Sequence, residues 1–314
     1  MITGDRFLQG VKRRVTVPAS QVLVNNAGML QLADDVTRDK IVPLIMAVNQ
    51  NFFIYRETIA LVADQAEYQI PYRSIARGLR ELKLHAVGNT GSGGTSNLPQ
   101  IALEDAHLFP QSGVPSGFYF QGDRIVVLPT PINTSYELYS WYDLQPSQIV
   151  QTTDAARVAS VSTNVVTCTS VPSTMTAGVL VDFIQGVSGC GTLAMDEAIT
   201  NVSGTQITFA SADDIPSTLV AGDYISIKQT TPVLQIPDEA QPLLETLTAL
   251  RLLKAVGDFD GASQLMQDAA QQETDLKKIL QPRIEGEPTK IVNRQGLVRG
   301  KGFNYWRLRS GYYP

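Results

Sequence analysis

The sequence predicts an α+β protein: a helical bundle with antiparallel β-strands, an inserted repeated β module and an extended C-terminal arm. Three observations lead there. Apolar residues recur at three-to-four spacing in two separated stretches, residues 29–55 and 236–280. Between them lie short alternating or β-branched runs broken by glycine, and one block of these runs repeats itself. The last 27 residues, 288–314, carry six Lys/Arg, no Asp or Glu and five aromatics, in a chain whose net charge is −5.

In the first helical stretch Asp34 or Asp35 is the expected cap for DVTRDKIVPLIMAVNQNFF, which places Ile41, Leu44, Ile45 and Val48 on one side. Pro43 predicts a kink or a fresh helix start. The following ETIALVADQAEYQIPYR reads as two strands around a turn at Asp64-Gln65, and residues 79–84 as another strand. VGNTGSGGTSNLP (87–99) is a flexible loop, and no Gly-Lys-Ser/Thr follows to make it a phosphate cradle. In GFYFQGDRIVVLPTP (117–131) two apolar runs flank Gln121-Gly122-Asp123, a tight hairpin signal, and residues 136–144 supply a third, antiparallel strand.

Residues 149–235 contain the repeat. VPSTMTAGVLVDFIQ (171–185) matches IPSTLVAGDYISIKQ (215–229), and upstream VSTNVVT (161–167) mirrors VSGTQIT (202–208). Two such units together predict a small barrel or sandwich, since one copy could not cover its own edges. The steps Ala177-Gly178 and Ala221-Gly222 are expected at equivalent turns. From Ile236 the helical period returns: Pro237-Asp238-Glu239 opens a helix with a stripe of Leu243, Leu244, Leu247, Leu250 and Leu253, Gly257 stops it, and Asp260 or Gly261 begins a second helix running to about Leu280. The expected organisation is therefore 1–148 (helices plus antiparallel strands), 149–235 (β module), 236–282 (a helical hairpin packed on the N-terminal helices) and 283–314 (the basic-aromatic arm).

Composition narrows function. A 43% hydrophobic fraction supports a sizeable core. A pI near 5.1 argues against a general nucleic-acid binder. Cys168 and Cys190 give no disulfide framework, and no apolar run has the length of a signal peptide or membrane span, so a soluble, cytosolically made protein is expected. His85 and His107 lack a second ligand at metal spacing, and Glu104-Asp105 beside His107 reads as an ordinary charged loop. VLVNNAGML (22–30) echoes short-chain dehydrogenases but has no glycine-rich fingerprint before it and no Tyr-x-x-x-Lys after it, so it reads as a turn. No enzyme activity, metal or cofactor is expected.

The ordered run IVPLIMAVNQNFF, AEYQIPYRSIARGLREL, LPQIALEDAHLFP, GFYFQGDRIVVLPTP, IPDEAQPLLETLTALRLLKAVGD and PRIEGEPTKIVNRQGLVR resembles tailed-bacteriophage head-to-tail connector proteins, the adaptors of the virion neck. The resemblance covers most of the chain and implies a structural subunit of a homo-oligomeric, twelve-fold ring, made in the host cytoplasm and placed between the portal protein and a tail or nozzle protein. DNA would pass through the lumen without specific binding, and no cofactor or membrane is implied. The residues also leave open another tail, baseplate or head-surface component, a single-stranded nucleic-acid-binding module using the basic-aromatic tail, and an unrecognised hydrolase.

The arm is the expected partner-binding site. Ile291-Val292 and Leu297-Val298 are short enough to add as strands to a partner's sheet edge, and Trp306 and the Tyr312-Tyr313 pair would fill apolar pockets. Lys290, Arg294, Arg299, Lys301, Arg307 and Arg309 would meet an acidic surface. The resemblance names the portal as that surface; the residues alone say only that there is a partner.

Overall fold

The computed structural model describes residues 2–15, 25–88, 94–187, 189 and 191–281. The chain is α+β, as its patterning predicts. Among the described residues five α-helices build one layer: α1 (Gly4–Arg14), α2 (Asn26–Val36), α3 (Val42–Val48), α4 (Gln241–Val256) and α5 (Phe259–Leu280). Helix α4 lies at its centre. Its Leu243, Leu244, Ala249, Leu250, Leu252 and Leu253 are all buried, in one core with Phe7 and Val11 of α1, Met29 and Ala33 of α2, Ile45 of α3 and Ala269 of α5.

Each helix has a local cause. Thr3 caps α1, its hydroxyl accepting from the Arg6 amide at 3.4 Å. The cap of α2 is Asn25, whose side chain accepts from the Gly28 amide at 2.6 Å, and not Asp34 or Asp35. Asn-Asn-Ala-Gly is thus a helix start rather than a turn, and Asp34 lies inside α2, buried, with Arg38 at 3.2 Å. Pro43 stands at a helix start, the second residue of α3. Residues Thr37–Ile41 form a π-helical turn, and α3 continues with proline in its first turn. A proline ring presses on the carbonyl four residues earlier, and the wider turn gives it room. Helix α4 ends in a Schellman arrangement: Gly257 is left-handed at φ 88°, its amide reaches the Lys254 carbonyl, and the Asp258 amide reaches that of Leu253. Asp258, rather than Asp260 or Gly261, then caps α5 by accepting from the Gly261 amide at 3.0 Å.

Between α3 and α4 the chain builds sheets. Strands β1 (Ile54–Ala60), β2 (Glu67–Gln69), β3 (Glu81–Ala86), β4 (Thr95–Asn97), β5 (Ser112–Gly113), β6 (Gly117–Gln121), β7 (Arg124–Leu128), β8 (Thr130–Pro131) and β9 (Tyr136–Asp143) follow in order. The hairpin at Gly122-Asp123 forms, with Gln121 opposite Arg124. Two expected neighbourhoods do not. Strands β1 and β2 join different sheets, β1 pairing with β9 and β2 with β7, and β9 inserts between β1 and β3 instead of extending the hairpin. Alternation along β9 buries Leu138, Ser140 and Tyr142 on one face. Local pattern sets which residues face inward, but not which edge a strand joins.

A short parallel pair, β10 (Gln148–Ile149) with β17 (Thr230–Thr231), flanks a closed six-stranded barrel. Its strands are β11 (Ala156–Ser162), β12 (Val165–Cys168), β13 (Leu180–Ile184), β14 (Thr192–Ser203), β15 (Gln206–Phe209) and β16 (Tyr224–Ile227), in the order β11-β12-β15-β14-β13-β16. The sequence repeat appears as a two-fold relation. Hairpin β11-β12 shifts register between Val158 and Ser160, and hairpin β14-β15 does so between the equivalent Ile199 and Asn201. The halves are exchanged: the Gly178 amide bonds the Ile199 carbonyl at 2.7 Å, and that of Gly222 bonds Val158 at 2.8 Å. Both glycines are left-handed, at φ 86° and 102°. The core of Val158, Met175, Phe183, Ile199, Phe209, Leu219 and Ile225 draws on both halves.

After β17 the chain returns to the helical layer. Thr3 bridges Val233, the Gly4 amide donates to the Pro232 carbonyl at 2.9 Å, and the Leu234 amide donates to that of Ile2. Gly4 fits here because a Cβ would overlap the Val150 carbonyl oxygen.

Candidate functional site

Every residue expected to form the partner-binding arm (Lys290, Ile291, Val292, Arg294, Leu297, Val298, Arg299, Lys301, Trp306, Arg307, Arg309, Tyr312 and Tyr313) lies outside the described residues. The other candidates are scattered. His85 on β3 stacks on Tyr139 of β9 at 4.5 Å and has Nδ1 2.9 Å from the Thr95 hydroxyl. His107 sits in an exposed 3₁₀ turn with Nδ1 2.6 Å from the Glu104 carbonyl. Cys168 is buried in the barrel, and burial pushes its thiol up to about 11, away from thiolate chemistry. Among the described residues no group of three or more His, Cys, Asp or Glu is placed to hold a metal ion, and no helix is long and apolar enough to cross a membrane.

Among the described residues the densest polar constellation is centred on Arg73, in the turn after β2, where the Gln145 amide holds its carbonyl at 2.8 Å. Its guanidinium grips Asp182 of β13 through two nitrogens, at 2.7 and 2.8 Å, and reaches Asp196 of β14 at 2.8 Å. Arg73 is 5% exposed and Asp182 0%, so neither charge could be held there without the other. Two further donors complete the Asp182 carboxylate: the Asp196 amide at 3.1 Å and the Gln229 amide at 2.9 Å. Both donors sit on left-handed backbone, each at φ 63°, which turns their N–H groups toward one point. Burial opposes the arginine's charge, but the hydrogen bonds and charge of Asp182 outweigh it and hold the guanidinium more firmly protonated than usual.

Further polar side chains close around this pair. The Tyr72 hydroxyl donates to Asp196 at 2.6 Å, and Lys228 lies 3.4 Å from Asp196 and over the Tyr72 ring. On the neighbouring strands the Tyr142 hydroxyl donates to Glu57 at 3.0 Å. Burial raises the Glu57 carboxyl, against the Tyr142 hydrogen bond, and raises the Tyr142 hydroxyl as well. A cleft of about 370 Å³ opens between Tyr55, Glu57, Tyr72, Arg73, Tyr142 and the start of β14.

This arrangement is a joint. It ties the turn after β2, and through it the sheet, to the barrel at the place where the barrel's two halves differ. The two-fold passes between β13 and β16, where Asp182 faces Ser226, its counterpart in the other half. The acid occurs in one half only, and β14 is extended at its start relative to β11, which supplies Asp196. Sequence reasoning passed over Arg73. The available signal was the mismatch of Asp182 with Ser226 in an otherwise matched repeat, together with Tyr72-Arg73 inside one of the segments that carry the connector resemblance.

Two faces of the helical layer are also distinctive. On α1, Arg6, Gln9, Lys12 and Arg13 point outward, while Arg14 pairs with the buried Glu245, which Gln241 also contacts. Gly10 admits that carboxylate, since a Cβ would overlap it. On α5 burial is confined to Ala262, Ala269 and Leu276, seven residues apart, leaving Phe259, Met266 and Ile279 exposed.

No curated protein matches this chain. The model of one protein family, described as SU10 adaptor protein, matches residues 15–182, just over half of the sequence. The match runs from the end of α1 through the sheets and into β13, and so contains both Arg73 and its partner Asp182. Matched over more than half of its length, the chain belongs to the SU10 adaptor protein family, a family of bacteriophage structural adaptors.

Proposed function

We propose that this protein is the subunit of an adaptor ring between portal and tail, the conduit through which DNA passes in the neck of the virion. The observation that carries the reading is the family membership over residues 15–182, which takes in helices α2 and α3, the sheets and the start of the barrel. The architecture is suited to the task. A sheet and a barrel tied by a buried ion pair give a subunit suited to carrying load across that joint, and subunits of one kind close into a ring through heterologous contacts. The net charge of −5 lets DNA slide, because a surface without excess cations gains no counterion release from the phosphates. The arm, residues 283–314, is the portal-binding element in this reading, with Trp306, Tyr312 and Tyr313 as anchors and the six cations of residues 288–314 facing acidic portal surface.

Electron microscopy of the purified protein, alone and mixed with portal, tests the ring. Closed rings seated on the portal are the expected result; a lone copy or a trimer at the tail tip would overturn it. Truncation after Pro288 tests the arm: the shortened protein should fold and remain soluble but no longer join portal-containing heads. Normal joining, or unfolding, would refute that role.

A further inference from the structure

Two strand edges border one cleft from opposite sides. The cleft of about 370 Å³ beside Arg73 is lined by residues 55–58 of β1 and 193–197 of β14. Successive residues of a strand point to opposite faces of its sheet, so a run of consecutive residues lines a cleft only where the strand presents its edge. Strand β1 is the outer strand of its sheet, and β14 pairs with β13 alone until β15 joins at Ile199. The two strands do not pair with each other. The Phe53 carbonyl accepts from the Leu144 amide, and the Leu61 amide donates to the Tyr136 carbonyl, so odd-numbered residues along β1 turn their main-chain groups to β9. Those of Arg56 and Thr58 turn the other way, where they have no hydrogen-bond partner among the described residues.

The seam continues past Tyr55. A second pocket, of about 360 Å³, shares Tyr55 and is lined by Phe52, Phe53 and Leu144 together with Gly191 and Thr192, where β14 begins. Both strands therefore advance along the seam in the same direction, and the seam is apolar at its first end and acidic at its second. At the acidic end Glu57 is held by the Tyr142 hydroxyl, and Glu197 makes no ion pair among the described residues. Burial raises both carboxyls, and the charge of Asp196, joined at Glu197 by that of Asp214, adds to the effect. The two arginines that line the cleft are otherwise engaged. Arg73 is committed to Asp182 and Asp196, and Arg56 lies over the Tyr139 ring on the sheet's other face, 4.7 Å from its centroid.

We propose that this seam takes an extended segment of a partner protein as an added strand, its main chain against the edges of β1 and β14, a large apolar side chain in the pocket at Phe53, and a Lys or Arg between Glu57 and Glu197. Main-chain pairing supplies the affinity and the two side-chain positions the specificity. Ile54 and Glu57 are three residues apart, about 10 Å of strand, so the partner's two anchors fall two or four places apart, the even spacing that puts both on one face. Carboxylates without a cation repel an acidic segment and nucleic acid alike. One subunit holds the whole seam, so the inference stands or falls apart from ring closure.

Random peptides about nine residues long, displayed and selected on the full-length protein, test it without naming the partner. Recovered sequences should carry a Lys or Arg two or four places from an aromatic or large aliphatic residue. The strongest is then synthesised and its Kd measured by calorimetry. N-methylation of alternate residues should weaken binding about tenfold or more whichever alternate set is blocked, because one set of N–H groups faces β1 and the other β14. Thr58→Pro removes a donor from the open edge of β1 and leaves the ladder to β9 intact, since proline is tolerated on edge strands, and it should weaken binding by a similar factor. Glu197→Lys should do the same, and exchanging the peptide's Lys or Arg for Glu should restore binding to that variant. Should Thr58→Pro not fold, the N-methylated peptides make the same test on wild type. No enrichment, enrichment that survives both variants, or sensitivity to only one methylated set would overturn the proposal. A peptide of residues 288–302 that binds as tightly as the selected one would give the seam to the arm of another copy and overturn the choice of a different protein.

Discussion

Arg73→Met removes the cation from a site where its partner cannot escape to water. Asp182 is 0% exposed and would keep only the Asp196 and Gln229 amides, at 3.1 and 2.9 Å. Breaking a buried pair from one side typically costs about 3–5 kcal/mol. The second contact, to Asp196, adds little because that side chain is 30% exposed and screened by water. At about 2–4 °C per kcal/mol for a domain of this size, the melting temperature should fall by about 6–20 °C. Asp182→Asn alone should cost less, since Arg73 retains Asp196 and no bare charge is left behind. Arg73→Met/Asp182→Asn should be more stable than Arg73→Met, because the uncompensated anion is gone, and the cycle isolates the coupling. Urea unfolding followed by circular dichroism and by fluorescence measures all three. Loss of less than about 1 kcal/mol in Arg73→Met, or a double variant no better than the single, would show that the pair does not hold the joint.

Three other outcomes follow from the packing. Gly4→Ala should destabilise by about 1–3 kcal/mol, read by thermal melting, because its Cβ meets the Val150 carbonyl and backbone cannot yield as a side chain can; unchanged stability would place α1 less tightly on β10. Glu57→Gln should change the dependence of stability on pH. Burial raises the folded-state carboxyl above its usual 4.5, so wild type loses stability as pH rises from the unfolded value through the folded one, and the glutamine variant does not. Its advantage should therefore grow across that window and then level off, and a difference that stays flat from acid to neutral pH would contradict the burial argument. Excising residues 156–227, with Ala155 joined to Lys228 by a short glycine linker and Arg73 changed to Met, should leave a folded helical and sheet body that keeps the β10–β17 pair. Loss of its helical circular dichroism would show that the barrel is not a separable module.

The helices were legible because their signals are local. The leucine stripe of α4 and the stop at Gly257 depend on residues within a turn or two of each other. The start of α2 was misplaced for a reason that is not local: Asp34 and Asn25 are both good caps, and tertiary burial of Asp34 decided between them. The hairpin at Gly122-Asp123 was readable from its turn residues. The insertion of β9 between β1 and β3 was not, since three strands of similar pattern leave the order of pairing to contacts distant in sequence. The Arg73 joint was hidden for the same reason. Its partners lie 109 and 123 residues away, and a lone arginine in a turn looks like any solvated charge until the fold buries it.

The exchanged halves of the barrel carry one more implication. Because Gly178 closes on Ile199 and Gly222 on Val158, each half supplies the cover for the other's first strand. Neither half is a folding unit, yet two copies of either would be complete. The barrel is in effect a homodimer written into a single polypeptide. The difference between the halves that matters stands on the dyad itself. Asp182 in one half and Ser226 in the other give a two-fold object a single attachment point, which a symmetric pair could not offer without offering it twice.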